Sequence, residues 1–230
     1  MRVFVLAGGM GTRLARALGD LPKPLAPLGG RPFLERQLTW LASHGLDDVV
    51  LCVGHGADQV ERALGDGSRL GVRLAYSRES EPLGTGGALA LAAPHVKGPS
   101  LVVNGDTLPE LDPWALERAR WERGRIGALA LYRLDDATAA GRVECDGDDR
   151  VTRFVEKDAE HEGPAWGSGG CYAFAPALWD WLPSGPSSLE RDMLPRLAEA
   201  GELVGHHAAG AFWDIGTPQG WERAERRFAG

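Results

Sequence analysis

The chain has few cysteines, few lysines and no long apolar run, and each shortage narrows what it can be. Three cysteines, Cys52, Cys145 and Cys171, stand isolated in strand-like runs. An odd, scattered set argues against a disulfide frame or a zinc site and fits reduced core residues. No stretch approaches the roughly 20 apolar residues needed to cross a bilayer. The chain enters a strand at residue 2 or 3, leaving no room for a signal peptide, so a cytoplasmic location is expected. A net charge of −7 argues against nucleic-acid or anionic-membrane partners, although a cleft could still gather positive charge for a phosphorylated small molecule. The P-loop pattern G-x-x-x-x-G-K-[ST] is missing, and Gly8-Gly9-Met10-Gly11 does not supply the dinucleotide spacing G-x-G-x-x-G. The six histidines form no ligand pattern. No serine or cysteine sits in a nucleophile motif, so covalent catalysis is not expected.

Against these absences stands Leu6-Ala7-Gly8-Gly9-Met10-Gly11-Thr12-Arg13, which follows the apolar run Val3-Phe4-Val5. A buried strand feeding a glycine-rich turn lets backbone N–H groups approach a phosphate with no Cβ in the way. Arg13 adds a planar cationic fork suited to phosphate oxygens. The other reading is a tight strand-to-helix turn.

The remaining pattern is strand, helix, strand, helix. Strands are expected at 2–6, 49–53, 72–76, 100–104 and 126–133. Helices are expected at 31–44 and 57–64, then a small-residue helix opened by the glycine-rich turn 79–87 and running through Ala93, then a helix at 113–123. Asp112 is placed to cap the last of these, with Pro113 in its first turn. The two prolines of Pro22-Lys23-Pro24 predict an extended segment around Lys23. This order predicts a parallel sheet covered on both faces, with ligands beyond the carboxyl ends of its strands. The loops 8–13, 79–87 and 104–107 should then meet at one mouth. Beyond residue 134 the character changes. Short strands, antiparallel or mixed, are expected at 142–145, 151–156 and 170–174, then a helix over 187–200, a short strand at 203–206, a sharp turn over 212–218 and a closing helix over 219–228.

Asp106 follows a buried strand and a glycine, which suits either a ligand or a turn aspartate. Asp214 lies between Trp213 and Ile215, where a carboxylate needs a partner. Two such carboxylates at one mouth would hold Mg²⁺, which prefers oxygen ligands and often binds through substrate phosphates. Lysine is scarce, three against 22 arginines, which draws attention to Lys23 between its prolines.

Read together, Leu6 to Arg13, Pro22-Lys23-Pro24, Pro82-Leu83-Gly84-Thr85-Gly86-Gly87, Asn104-Gly105-Asp106, Glu156-Lys157 and Asp214-Ile215-Gly216-Thr217-Pro218 resemble, in order, the motifs of the sugar-1-phosphate nucleotidyltransferase family. The resemblance spans nearly the whole chain. Gly30-Arg31-Pro32-Phe33-Leu34-Glu35 and Ser188-Leu189-Glu190-Arg191-Asp192 look most like the branch acting on D-glycero-α-D-manno-heptose 1-phosphate with GTP. N-acetylmuramate 1-phosphate uridylyltransferases are also similar.

The resemblance implies a single-domain Rossmann-like α/β fold over residues 1–230, with a nucleotide half (1–133) and a sugar half (134–230). It implies transfer of a nucleoside monophosphate from an NTP to a sugar 1-phosphate, with Mg²⁺, in a monomer or homodimer. Leu6, Ala7, Gly8, Gly9, Gly11 and Thr12 would wrap the nucleotide, with Pro82 and Thr85 beside it and Gly84 against the base. Glu79 would read the base. Its carboxylate only accepts, which suits the adjacent N–H donors of guanine better than the one of uracil. Arg13 and Lys23 would serve the reacting phosphates, and Asp106 and Asp214 would hold the metal. Asn104, Gly141, Glu156, Lys157 and Ser168 would meet the sugar phosphate. Many relatives have Asn-Ala-Gly-x-Tyr where this chain has Ser168-Gly169-Gly170-Cys171-Tyr172, and Tyr-Gly-Val where it has Ala140-Gly141-Arg142, so the sugar stays open. A non-catalytic sugar-nucleotide-binding module is the alternative of another class.

Overall fold

The computed structural model describes residues 1–11, 13–14, 18–135, 140–156, 161 and 163–229. The first part of the chain runs through β1 (Arg2–Leu6), β2 (Pro27–Leu28), β3 (Arg31–Pro32), α1 (Phe33–Ser43), β4 (Asp48–Val53), α2 (Ala57–Leu64) and β5 (Arg73–Arg78). It continues with α3 (Gly84–Leu91), β6 (Ser100–Asn104), β7 (Thr107–Pro109), α4 (Pro113–Glu122) and β8 (Gly127–Leu134). The rest comprises β9 (Gly141–Cys145), β10 (Val151–Glu156), β11 (Ala165–Phe174), α5 (Leu194–Glu199), β12 (Leu203–His207), β13 (Phe212–Asp214) and α6 (Pro218–Phe228).

Nine strands form one sheet in the order β10-β9-β11-β6-β1-β4-β5, with β8 paired to β11 and β12 paired to β8. Followed through the ladders, β1, β4, β5, β6, β8, β9 and β12 run one way and β10 and β11 the other. The sheet is therefore mostly parallel. Its central strands are buried on both faces, as near-continuous apolar runs such as Val49 to Val53 require.

Alternation along β1 separates the two cores. Val3 and Val5 join Leu34, Leu38 and Leu41 of α1, Val60 and Leu64 of α2 and Leu116 of α4. Phe4 faces the other way, onto Ala88 and Leu89 of α3 and Leu194 and Leu197 of α5. Helices thus cover both faces of the sheet. A third, smaller cluster holds α6 against the β2–β3 ribbon through Leu28, Phe33, Leu108, Ile215 and Ala224. Cys52 and Cys171 lie in the core, and burial pushes the Cys52 thiol up to about 12. Among the described residues no helix is long and apolar enough to cross a membrane.

Several local expectations are corrected. Lys23–Leu25 winds into a single 3₁₀ turn instead of an extended segment. Pro24 tolerates this because its missing N–H falls in the first turn, where it has no intrahelical partner. The helix expected from residue 31 begins at Phe33, since extended Pro32 (ψ 138°) closes the β2–β3 ribbon. The helix expected over 187–200 splits into a π-helical turn, Leu189–Met193, followed by α5. Pro195 lacks the N–H that a regular α-helix would need there. The strand expected at 170–174 is longer, running through all of β11. Residues 212–214 are not part of a sharp turn. They form β13, antiparallel to β7, which was not expected as a strand. Both are three residues long, and Pro109 cannot donate to a ladder, so period-two alternation had too little length to register.

Candidate active site

The loop after β1 opens where Ala7 donates its N–H to the Cys52 carbonyl at 2.8 Å. A Cβ on Gly8 would lie 2.1 Å from Oε1 of Glu79, and one on Gly54 2.5 Å from the same oxygen. The glycines leave room for a carboxylate. Oε2 of Glu79 accepts the Leu83 N–H at 3.0 Å, so one of its oxygens already stabilises the next loop. Gly11 has φ +61°, and a Cβ there would lie 3.0 Å from the Lys23 Cβ.

The two acidic candidates meet through the ribbon that sequence reading missed. In the β7–β13 ladder Asp214 pairs with Thr107, and Ile215 N–H donates to the Asp106 carbonyl at 2.9 Å. The Cβ position of Gly216 lies 2.8 Å from Asp214 Oδ1, 3.2 Å from Asp106 Oδ2 and 3.6 Å from Arg13 Nη2, so three functional groups surround one point. Lys23 Nζ donates to Asp106 Oδ2 at 2.5 Å. Burial first, and then the neighbouring Asp106 carboxylate, push the Asp214 carboxyl above its ordinary value; the Gly216 N–H, Lys23 and Arg13 pull the other way. From below, the fully buried Gln37 donates Nε2 to the carbonyls of Asn104 (2.9 Å) and Thr107 (2.5 Å), fixing the turn that carries Asp106.

On the third loop, Gly84 has φ +72°, and a Cβ there would sit 2.5 Å from the Ser187 carbonyl. Ser187 N–H donates to the Leu83 carbonyl, and its own carbonyl accepts from Gly86 and Gly87. Glycine is therefore demanded at residue 84 by a backbone crossing. The Thr85 hydroxyl is also spent internally. It donates to Glu190 Oε2 at 2.6 Å and accepts the Leu189 N–H at 2.8 Å. Glu190, whose role sequence reading did not anticipate, lines the cleft, and burial raises its carboxyl above the ordinary value against the hydroxyl of Thr85. Its only signal was its place in the Ser188–Asp192 motif.

These loops enclose two adjoining cavities. One, of about 260 Å³, is lined by Leu6 to Met10, Lys23, Glu79 and Pro82. The other, of about 880 Å³, is lined by Arg13, Asp214, Gly141, Glu156, Ser168 and α6 among others. Gly84, Thr85, Asn104 and Asp106 face both. On the larger side, Gly141 opens β9 opposite Glu156, with no space for a Cβ beside Phe154 (2.5 Å). Ser168 Oγ donates to the Tyr172 hydroxyl at 3.2 Å. The register of β11 slips between Ser168 and Tyr172, and a Cβ on Gly170 (φ +64°) there would lie 2.9 Å from Asn104 Nδ2. A bulge at the rim of a site re-aims side chains in this way. Asn104 Oδ1 is buried with no hydrogen-bond partner among the described residues. The structure thus brings every described site candidate except Gly11 onto these walls; Thr12 and Lys157 lie outside the described residues.

The donor set suits Mg²⁺. Two carboxylates beside one point supply hard oxygen ligands. Among the described residues no group of three or more His, Cys, Asp or Glu could hold a metal alone, so substrate oxygens would complete its shell.

Loops at the carboxyl ends of parallel strands and a carboxylate pair form one divided cleft in an α/β protein, at the edge of the sheet where such folds take their ligands. The nucleotidyl transferase family model matches residues 2–229, and the chain belongs to that family. It is 37% identical over 224 residues to a mannose-1-phosphate guanylyltransferase of Mycobacterium tuberculosis, covering 95% of this chain and 62% of that protein. It is 33% identical to the mannose-1-phosphate guanylyltransferase catalytic subunit beta of Drosophila pseudoobscura pseudoobscura, covering 95% and 60%. The chain therefore spans about three fifths of the length of these curated relatives. HddC from Yersinia pseudotuberculosis superposes with a TM-score of 0.87 at 31% identity, covering 99% of both chains. Its complex with GMP-PN gives 0.86 at 30%, again covering 99% of both. A putative glucose-1-phosphate thymidylyltransferase from Bacillus anthracis, at 22% identity, shares the fold with a TM-score of 0.89, covering 100% of this chain and 95% of that one. The resemblance read from the motifs is borne out, as is the single-domain α/β fold.

Proposed function

We propose that this chain transfers a nucleoside monophosphate, GMP by preference, from an NTP to a sugar 1-phosphate, releasing pyrophosphate. The observation that carries the reading is the meeting of Asp106, Asp214, Lys23 and Arg13 where the two cavities join. The nucleotide would occupy the smaller cavity, with its base near Glu79, and the sugar 1-phosphate the larger, against Glu156, Gly141 and Ser168. Guanine is supported by the guanylyltransferase relatives and by the GMP-PN bound to HddC. Glu79 keeps Oε1 for a base N–H while Oε2 serves Leu83.

A sugar phosphate is largely dianionic at pH 7 and is itself the nucleophile, so no side chain need attack. Its oxygen forms a bond to the α-phosphorus in line as the bond to the β-phosphate bridging oxygen breaks. Asn104 and the Gly170 bulge hold the incoming phosphate beside Asp106. Lys23 moves from Asp106 to the α-phosphate and offsets charge on the transferring group. Arg13 takes the charge that grows on pyrophosphate. Mg²⁺, when held by Asp106 and Asp214, supplies Lewis-acid neutralisation of the phosphate oxygens. Alignment of two anions carries most of the task.

Among sugars, the motif resemblance supports a heptose 1-phosphate first. Mannose 1-phosphate, named for the curated relatives, comes second. A pyrophosphate-release assay over four NTPs and a panel of sugar 1-phosphates tests the reading. Turnover highest with GTP and a manno-configured sugar is expected. No turnover with any pair, with sugar nucleotides still bound, would favour a non-catalytic binding module.

A further inference from the structure

The arginines of this chain divide by location. Those on the outer surface are mostly committed: Arg69 to Glu35, Arg73 to Asp47, Arg78 to Asp58, Arg150 to Asp146. Arg13, Arg223 and Arg226 line the larger cavity, and none has a hydrogen bond or ion pair with another described residue. In a chain of net charge −7, acidic partners are not in short supply. Guanidinium groups left unpaired against a cleft imply an anion that arrives from outside.

Their placement on α6 is regular. Gln219, Arg223 and Arg226 follow i, i+4, i+7 spacing, which sets them on one face of a helix, and all three line the cavity. Trp221, Ala224 and Phe228 occupy the opposite side and pack on the third hydrophobic cluster, which fixes the rotation of the helix. The first turn of α6 is anchored at the carboxylate pair. Thr217 caps it by accepting the Gly220 N–H at 3.1 Å, and a Cβ on Gly220 would lie 2.2 Å from the Asp214 carbonyl. Arg13 Nη2 lies 3.6 Å from the Gly216 Cβ position, at the foot of the same helix. At about 1.5 Å of rise per residue, Gln219 to Arg226 extends the cationic wall by roughly 10 Å outward from that point.

We propose that this face of α6, with Arg13 at its foot, is an anion subsite that receives inorganic pyrophosphate as it leaves. The inference rests on the proposed nucleotidyl transfer for the source of the anion, and on the unpaired arginines for the site itself. A phosphate oxyanion could equally come from the sugar 1-phosphate, and the assay separates the two sources. Arg223 and Arg226 lie on the surface of a helix whose packing face they do not touch, so glutamine at both should fold normally.

The test uses the full chain and inorganic pyrophosphate. Calorimetric titration of the protein with magnesium pyrophosphate should show binding weakened about tenfold or more in the R223Q/R226Q variant. The Arg118→Gln variant, which removes an equal kind of charge from α4 outside the cavity, should bind as the parent does. In the reverse reaction, from nucleotide sugar and pyrophosphate, KM for pyrophosphate should rise by a similar factor, with KM for the sugar 1-phosphate in the forward direction unchanged. Unaltered pyrophosphate binding in the double variant would overturn the subsite, and so would a loss that falls on KM for the sugar 1-phosphate instead. A parent protein that binds pyrophosphate but forms no NTP from any nucleotide sugar would refute the transferase reading and leave the subsite standing.

Discussion

The two sides of the cleft are built differently. On one side the parallel strands β1, β5 and β6 end in loops, and those loops bring Gly8, Glu79, Asn104 and Asp106 to the mouth. On the other side the wall is made by strand faces: Gly141, Phe154, Glu156, Ser168 and Tyr172 project from β9, β10 and β11. A loop that passes close to a ligand must solve backbone problems, and glycine and proline record the solutions. A strand face needs only alternation, and any side chain can occupy it. In the proposed reaction the loop side would hold the reacting phosphates, and the strand side could change sugar by single substitutions. That contrast accounts for clear motifs in the first part of the chain and for the Ser168–Tyr172 departure in the second.

The sharpest way to break the comparison is at the join. Asp106→Asn or Asp214→Asn should lower kcat by about a hundredfold or more, as loss of preorganised charge at a phosphoryl centre does. Steady-state kinetics over a Mg²⁺ series would check this, and retained activity would remove the metal role from either residue. Next in size is Gly84→Ala. Its φ of +72° and the Ser187 carbonyl 2.5 Å from the new methyl should displace the loop. A stability loss of about 1–3 kcal/mol is expected by denaturant unfolding, with a raised KM for the NTP. A smaller, paired test sharpens the division of labour. Glu156→Gln should raise KM for the sugar 1-phosphate about tenfold and leave KM for the NTP alone, and Glu79→Gln should do the reverse, each losing about one charge-assisted hydrogen bond. Equal effects of both on both substrates would dissolve the distinction.

The smallest effect is on ligand-free stability. Asp214 and Glu190 both have carboxyls held above their ordinary values, so the folded state binds their protons more tightly than the unfolded chain. Stability should therefore fall as pH climbs from the ordinary carboxylate range through the raised folded values, and stay low above them. Asp214→Asn removes one charge and keeps an acceptor for the Gly216 N–H. It should raise the melting temperature of the ligand-free protein at pH 7 by about 2–4 °C, roughly what 1 kcal/mol gives a domain of this size. A lower melting temperature would mean that Lys23 and Arg13 already compensate the pair.

The parallel sheet, its two covered faces and the meeting of the three loops were legible because strand runs such as Val49 to Val53 and helical spacings such as Leu34, Leu38 and Leu41 are long enough to carry a period. The β7–β13 ribbon was not legible, and it is the element that sets Asp106 beside Asp214. Long-range pairing of two three-residue segments leaves no local trace. Gln37 was hidden for a related reason: it sits on the apolar face of α1, and only the fold reveals the two carbonyls it bridges. Glu190 and the Thr85 hydroxyl show a third limit. Both belong to motifs that were noticed, yet their hydrogen bond crosses more than a hundred residues of sequence.

The crossing of Ser187 over the third loop has a consequence in time. The Leu83 carbonyl and the Gly86 and Gly87 amides wait for a segment about a hundred residues downstream before they are satisfied. The central strand β6 likewise waits for β11 along its open edge. Contacts so distant in sequence form late, because the chain between them must first be ordered. On the ribosome, the glycine-rich loops emerge early but cannot take their final shape until most of the chain has followed. The pocket that reads most clearly from the beginning of the sequence is therefore among the last parts of the molecule to be finished.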